Sequence, residues 1–238
     1  VSTQFNRVSN GRPFVFVRAV VATEQGSDIS FTSSWGDSRF TLSMPGDFNV
    51  ANAVLVLALL LNRGVSLEAA CDVMSQLSAP PGRMQRVARD GPAVYVDYAH
   101  TPDALEGALR ALRAHCRGKL WCVFGCGGDR DAGKRPQMAT AAEKRADLVV
   151  VTTDNPRSED AAAIIDDIVA GISQRDNLTV IEDRAAAIAW AIENAADNDV
   201  VLVAGKGHEG SQEVAGQRTR FSDYAVAESA LAAREGSA

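Results

Sequence analysis

The sequence predicts an α/β protein: a mostly parallel sheet with helices on both faces, preceded by a segment of antiparallel strands and helices. Three observations carry this. From residue 93 onward, short Val-, Ile- and Leu-rich runs alternate with longer stretches of helical spacing. That βαβ succession builds a doubly wound sheet with right-handed crossovers. Before it, residues 1 to about 45 show β-rich runs and period-2 alternation around a turn signal. Between the two lies Ser78-Ala79-Pro80-Pro81-Gly82, the strongest linker composition in the chain, and the domain boundary is placed there.

In chain order, Phe14-Val15-Phe16-Val17 and Val20-Val21 form the first β-rich run. Residues 28–33 and 39–42 alternate apolar and polar about Trp35-Gly36-Asp37-Ser38, a hairpin signal. Met44-Pro45-Gly46-Asp47 breaks the sheet. A helix follows over about 49–62, nearly all apolar and so expected to be buried, with Gly64 suited to its C-terminal cap. A second helix runs over about 66–77. After the linker, strands are expected at 93–96, 120–124, 148–151, 180–181 and 200–204. Helices are expected at 104–114, 137–144, from 161, and at 185–192. Residues 212–221 read as a terminal hairpin and 224–233 as a closing helix.

The chain of 238 residues is 46% hydrophobic with a formal net charge of -6. That suits one large or two smaller domains with real cores. The acidic balance, without a Lys/Arg-rich run, argues against nucleic-acid binding. Cys71, Cys116, Cys122 and Cys126 form no C-x-x-C pair and read as reduced, structural and cytoplasmic. No signal peptide or apolar span long enough for a bilayer is present, so no membrane association is expected. The sequence opens at Val1 in what reads as mid-domain, so it is expected to be a fragment.

In a parallel sheet all strand-to-helix loops lie at one edge, where ligands bind. Four such loops carry chemistry: Asp97-Tyr98-Ala99-His100-Thr101-Pro102-Asp103, Gly125-Cys126-Gly127-Gly128-Asp129-Arg130-Asp131, Thr153-Asp154-Asn155-Pro156-Arg157, and Gly205-Lys206-Gly207-His208-Glu209. Pro156 favours a first helical turn, so Asn155 is expected beside a helix N-terminus with Arg157 just inside it. An amide, free N–H groups and a guanidinium would then converge on a carboxylate. The same residues also read as an Asn-Pro turn with a solvated Arg.

Residues 128–135 resemble a P-loop, but Arg135 stands where the motif needs Ser or Thr for Mg²⁺. Arg130 likewise spoils a G-x-G-x-x-G reading, which weakens any nicotinamide-dependent function. His100, His115 and His208 lack ligand spacing for zinc, and no metal ligand is assigned. A lone loop histidine is more often a hydrogen-bonding group than a catalyst, and His115 ends a helix.

At these loops the chain resembles the Mur ligases, through Gly82-Arg83-Met84, the four loop motifs, and Gly46-Asp47-Phe48-Asn49-Val50-Ala51-Asn52 upstream. It is most similar to the branch that extends UDP-N-acetylmuramoyl-L-alanyl-D-glutamate. The resemblance implies that residues 1–80 are the C-terminal part of a central ATP-binding domain. Residues 82–238 would be a Rossmann-like ligase domain that binds the incoming amino acid. It implies a cytoplasmic, monomeric ATP-dependent acid–amino-acid ligase acting through an acyl phosphate, with ATP, the UDP-N-acetylmuramoyl dipeptide and meso-diaminopimelate as partners. Mg²⁺ is implied too, its ligands mostly in a part not included here, so the fragment is expected to be inactive alone, with no catalytic residue assigned.

By resemblance, Asn49 and Asn52 face adenine, Asp97 holds the ribose, Arg83 sits near the phosphates, and His100 lies close to the nucleotide. Arg130, Asn155 and Arg157, in the motif with Pro156, would clamp carboxylate, while Gly205 and Glu209 take ammonium. The Asp-Asn-Pro-Arg form goes with meso-diaminopimelate, and lysine-adding relatives depart from it at the Arg. A related Mur or folylpolyglutamate-type ligase, or a non-catalytic binding protein keeping the fold, are the alternatives.

Overall fold

The computed structural model describes residues 12–23, 26–88 and 90–236. Residues 1–11, part of the segment expected to be antiparallel, lie outside them. The chain forms two compact units that divide between Ala79 and Pro80.

In the first unit, β1 (Val15–Thr23), β2 (Gly26–Ser33) and β3 (Gly36–Leu42) make an antiparallel sheet in that order. The alternation works as expected. Ile29 and Phe31 of β2 and Phe40 and Leu42 of β3 turn to one face and are buried. Two helices, α1 (Asp47–Asn62) and α2 (Leu67–Ser75), share the core with that face through Leu57, Leu61, Ala70 and Met74. The α1 C-terminus closes as a Schellman turn, with Gly64 N–H donating to Leu61 O and Val65 N–H to Leu60 O. Gly64 supplies the left-handed φ of 87°. One expectation needs correction. α1 is apolar nearly all round, yet Leu55 and Leu59 are 61% and 58% exposed. Among the described residues, α1 buries the stripe of Val50, Ala53, Val54, Leu57 and Leu61 and leaves its opposite side uncovered.

The second unit has a six-stranded sheet of order β4-β5-β9-β6-β7-β8. Its strands are β4 (Gln85–Arg86), β5 (Ala93–Asp97), β6 (Leu120–Phe124), β7 (Leu148–Val151), β8 (Leu178–Val180) and β9 (Val200–Ala204). β4 is antiparallel to its neighbour and the rest are parallel. The helices are α3 (Pro102–Arg113), α4 (Lys134–Arg145), α5 (Ala161–Val169), α6 (Arg184–Asn194) and α7 (Asp223–Glu235), with a hairpin β10 (Ser211–Val214) and β11 (Gln217–Arg220) before α7. Strand side chains alternate between two cores. Cys122, Phe124 and Leu202 meet Leu109, Met138 and Ile168 of α3, α4 and α5. Val94, Val123 and Val203 meet Ile188, Ile192 and Leu231 of α6 and α7. The apolar runs read from the sequence are apolar throughout because both faces are covered.

One buried ion pair ties the second core to the sheet edge. Arg184 at the start of α6 and Asp223 at the start of α7 both have fully buried side chains. Arg184 Nε and Nη2 donate to the two Asp223 oxygens at 2.7 and 2.8 Å. Nη1 donates to Thr153 O and Nη2 to Ala204 O. Every charge is therefore paired, which is the condition for burying it at all. Asp223→Ala would strand the guanidinium and is expected to lower stability by about 3–5 kcal/mol in urea unfolding. The apolar double variant Arg184→Met/Asp223→Leu should recover most of that loss.

Candidate functional site

The strand order places the loops after β5, β9, β6 and β7 side by side at the carboxyl edge, where the topology switches direction. At the β5 end, the Asp97 carboxylate accepts from Met84 N–H at 2.7 Å and from Ala99 N–H at 2.8 Å. Burial raises its pKa, opposed by those two bonds and by Arg83. Its own carbonyl accepts from Gly205 N–H, joining the first loop to the last. The Arg83 guanidinium lies over the Tyr98 ring, 4.7 Å from its centroid. The same ring meets His100 edge-on and His208 tilted. His100 Nδ1 is 2.8 Å from Tyr98 O and its own carbonyl accepts from Lys134 Nζ.

At the β7 and β9 ends, four residues form a polar cluster. Lys206 has no exposed side-chain surface. Its ammonium donates to Asn155 Oδ1 at 3.0 Å and Glu209 Oε2 at 3.1 Å. Asn155 Nδ2 donates to the same Glu209 oxygen at 2.8 Å, and Asn155 Oδ1 also accepts from Glu213 N–H. Burial works against the Glu209 charge, but the Lys206 ammonium, the Asn155 amide and nearby Arg157 outweigh it and hold the carboxyl below its usual range. Asp154, also buried, faces Gly205 so closely that a Cβ there would sit 2.7 Å from Asp154 Oδ2. Gly205 also has φ 115°, so no other residue fits.

Arg157 does not enter a helix. α5 begins at Ala161, capped by the Asp160 side chain, and residues 156–159 stay in the loop. Arg157 has φ 55°, outside any right-handed helix. Its N–H donates to Glu213 O, forming a bridge to Val214. The expected convergence of helix-start N–H groups on Asn155 is therefore replaced by the β10–β11 hairpin. Gln212 adds two bonds, to Thr153 Oγ1 and Asp154 O. The Arg157 guanidinium donates to Gly128 O at 2.6 Å, and exposed Arg130 donates to Asp129 O. Pro156 is buried. Among the four free cysteines, Cys126 sits in the β6 loop, where burial pushes its thiol up to about 12.

Arg83, Asp97 and His100 thus gather around Tyr98, while Asn155, Arg157, Gly205 and Glu209 gather around Lys206, with Arg130 on the rim. Asn49 and Asn52 belong to the first unit. Asn49 lies in the first turn of α1, its amide donating to Pro45 O, and Asn52 is exposed.

The family model for the Mur ligase, glutamate ligase domain matches residues 82–207. The chain belongs to the Mur ligase family. A UDP-N-acetylmuramoyl-L-alanyl-D-glutamate–2,6-diaminopimelate ligase of Haemophilus ducreyi is 50% identical over 218 residues, covering 90% of this chain and 44% of that protein. A solved structure of a ligase with the same description superposes with a TM-score of 0.77 at 39% identity, over 93% of this chain and 46% of that one. Folylpolyglutamate synthase from Thermotoga maritima shares the fold, with a TM-score of 0.62 at 23% identity over 80% of this chain and 43% of its own. The chain thus spans less than half the length of the curated relatives it matches.

Within this Mur ligase edge, sequence reasoning gave no role to Lys206, Gln212, Glu213 or Arg184. Lys206 had a signal, a lone Lys between two glycines directly after a buried strand. The other three act across long sequence separations.

Asp154 supplies a test. Burial raises its pKa, opposed by Arg184 and Lys206 and reinforced by Glu209 and Asp223. With the folded value above the unfolded one, the group costs nothing below the unfolded pKa. It destabilises increasingly as pH rises from the unfolded to the folded value, and by a constant amount above that. Asp154→Asn is therefore expected to raise the melting temperature at pH 7 and to leave it unchanged near pH 3, by calorimetry at both pH values.

Proposed function

We propose that this chain serves the ATP-dependent addition of meso-diaminopimelate to UDP-N-acetylmuramoyl-L-alanyl-D-glutamate, through an acyl phosphate, in peptidoglycan precursor synthesis. The observation that carries this reading is the Glu209 carboxylate, held charged by the Lys206 ammonium at 3.1 Å and the Asn155 amide at 2.8 Å, with the Arg157 guanidinium nearby on Gly128 O. An amino acid presents an ammonium and a carboxylate a few ångströms apart, and this pair complements both. The 50% identity to a ligase named for diaminopimelate supports the same choice.

In this reading residues 82–238 form the amino-acid-binding domain and residues 1–80 the C-terminal part of an ATP-binding domain. Lys206 and Asn155 keep Glu209 charged and aimed, and Glu209 with the Gly205 backbone receives the ammonium. Arg157 and Arg130 receive carboxylate. Holding one end of diaminopimelate in this way places the amine of its other end beside the acyl phosphate. Once that amine has lost a proton to solvent it attacks the acyl carbon, the C–N bond forms as phosphate leaves with the second proton, and the proximity supplies much of the rate. Asp97 accepts from ribose hydroxyls, with Arg83 towards phosphate and His100 near the nucleotide. In the first unit, Asn49 and Asn52 are proposed for an adenine edge. ATP in such ligases works with Mg²⁺. Among the described residues no group of three or more His, Cys, Asp or Glu has the geometry to hold a metal, so no step here is assigned to metal ligands of this chain. Among them too, no helix is long and apolar enough to cross a membrane. A cytoplasmic monomer is part of this proposal.

Two outcomes test the assignment. Arg157→Ala is expected to weaken meso-diaminopimelate binding on the order of a hundredfold, a few kcal/mol, while L-lysine, which lacks the second carboxylate, changes little. Arg157→Lys should rescue poorly, because a point charge cannot replace the planar fork. Equal losses for both amino acids by calorimetric titration would remove the specificity role. Separately, Asp97→Ala is expected to weaken ATP binding at least about tenfold more than it weakens diaminopimelate. Equal weakening of the two would sink the ribose assignment.

A further inference from the structure

Arg135 occupies the position where a phosphate-binding loop needs a hydroxyl, and the structure shows a different use for it. The side chain, at the second residue of α4, is only 3% exposed. Nη2 donates to both Glu159 oxygens, at 2.9 and 2.7 Å, and Nη1 donates to Asp167 at 2.9 Å. Glu159 in turn accepts from Asp129 N–H in the β6 loop. The Asp129 carboxylate reaches back, accepting from Ser158 Oγ–H at 2.7 Å and from Ser158 N–H at 3.3 Å. Gly128 N–H donates to Asn155 O, and Gly128 O is the acceptor of the Arg157 guanidinium. The two loops touch so closely that a Cβ on Gly128 would lie 1.9 Å from Pro156 O.

This crossing holds two residues in a conformation they resist. Asp129 and Arg157 both have left-handed backbones, φ 52° and 55°. Neither is glycine, so each persists only because its surroundings over-determine it. Asp129 is held through its N–H on Glu159, which Arg135 holds in turn, and Arg157 is held by Glu213 O and by the carbonyl of Gly128, the residue just before Asp129. We propose that Arg135 and Glu159 are specificity-determining positioning residues: they lock the β6 and β7 loops together and so fix the direction in which Arg157 presents its guanidinium to an amino-acid carboxylate. They touch no substrate themselves. The proposal rests on the amino-acid-binding reading above for the identity of the ligand, but the locking of the loops is independent of it.

Glu159→Gln keeps the side-chain volume and an acceptor for Asp129 N–H while removing the charge that Arg135 grips. Three measurements on the whole chain are compared with the unmodified protein. The melting temperature is expected to stay within a few degrees. Amide exchange at Gly128 and Arg157 is expected to accelerate about tenfold, with the β6 and β9 core amides of Val123 and Val203 unchanged. The preference for meso-diaminopimelate over L-lysine, as a ratio of Kd values, is expected to fall about tenfold. Arg135→Lys, which retains charge but reaches fewer of the carboxylate oxygens, should fall between. Should either variant fold poorly, Ser158→Ala removes only the exposed hydroxyl link to Asp129 and is expected to shift exchange in the same direction.

Unchanged exchange and an unchanged ratio in Glu159→Gln would overturn the inference. Equal weakening of both amino acids with a general rise in exchange would overturn it too, by making the pair merely structural. If the unmodified protein bound neither amino acid, the amino-acid reading would fall and the specificity clause with it. Faster exchange at Gly128 and Arg157 would then still establish the locking.

Discussion

The Arg184 guanidinium is the point on which the carboxyl edge of the sheet depends. It is fully buried, and its four bonds reach three parts of the second unit: α7 through both Asp223 oxygens, the segment after β7 through Thr153 O, and the end of β9 through Ala204 O. The next residues beyond those two carbonyls are Asp154 and Gly205. The loops that carry the polar cluster thus start from one shared anchor. A buried charge of this kind adds little net stability over an apolar pair, but it enforces one arrangement, since any other leaves a guanidinium unpaired in the core.

On that anchor the site is built as a sequence of charges, each satisfied by the next. Lys206 has no access to water and is neutralised by Glu209 with help from Asn155. Glu209 is thereby kept ionised although half-buried. Asn155 spends its carbonyl oxygen inside the protein, on Lys206 and on Glu213 N–H. Its contribution to a ligand therefore runs chiefly through the aim of Glu209. The hairpin β10–β11 completes the arrangement from outside, by pairing with Arg157 and with the Asp154 carbonyl.

Much of this was legible in the sequence, and the limits have physical causes. Strands such as Leu120–Phe124 and Val200–Ala204 are short apolar runs bounded by glycine, and two-sided burial allows no other pattern there. Once those strands are parallel, four loops must share an edge, so the location of the site follows. The helix from 161 is where it was expected, but Arg157 was placed inside a helix start because Pro156 is a good first-turn residue locally. The outcome was decided by Glu213 and Asp129, which lie 56 and 28 residues from Arg157 in the chain and pull the loop the other way. The exposure of Leu55 and Leu59 on α1 was invisible for a related reason: composition reports how apolar a helix is, while burial depends on how many layers surround it. Lys206 drew no role of its own, because a lysine is rarely buried and nothing local announces that this one is.

The setting of Cys126 has a pharmacological consequence. This thiol lies within the glycine-rich β6 loop, which also carries Arg130, one of the residues proposed to hold an amino acid, and a cysteine so placed invites a covalent inhibitor. With its pKa pushed up to about 12 by burial, the thiol stays protonated at neutral pH, and the thiolate is the reactive form. Electrophilic warheads and peroxide alike should pass it by. Compounds directed here must gain their affinity from the charged groups around Glu209 and Arg157, and the loop should keep its shape under oxidative stress that disables enzymes with exposed cysteines.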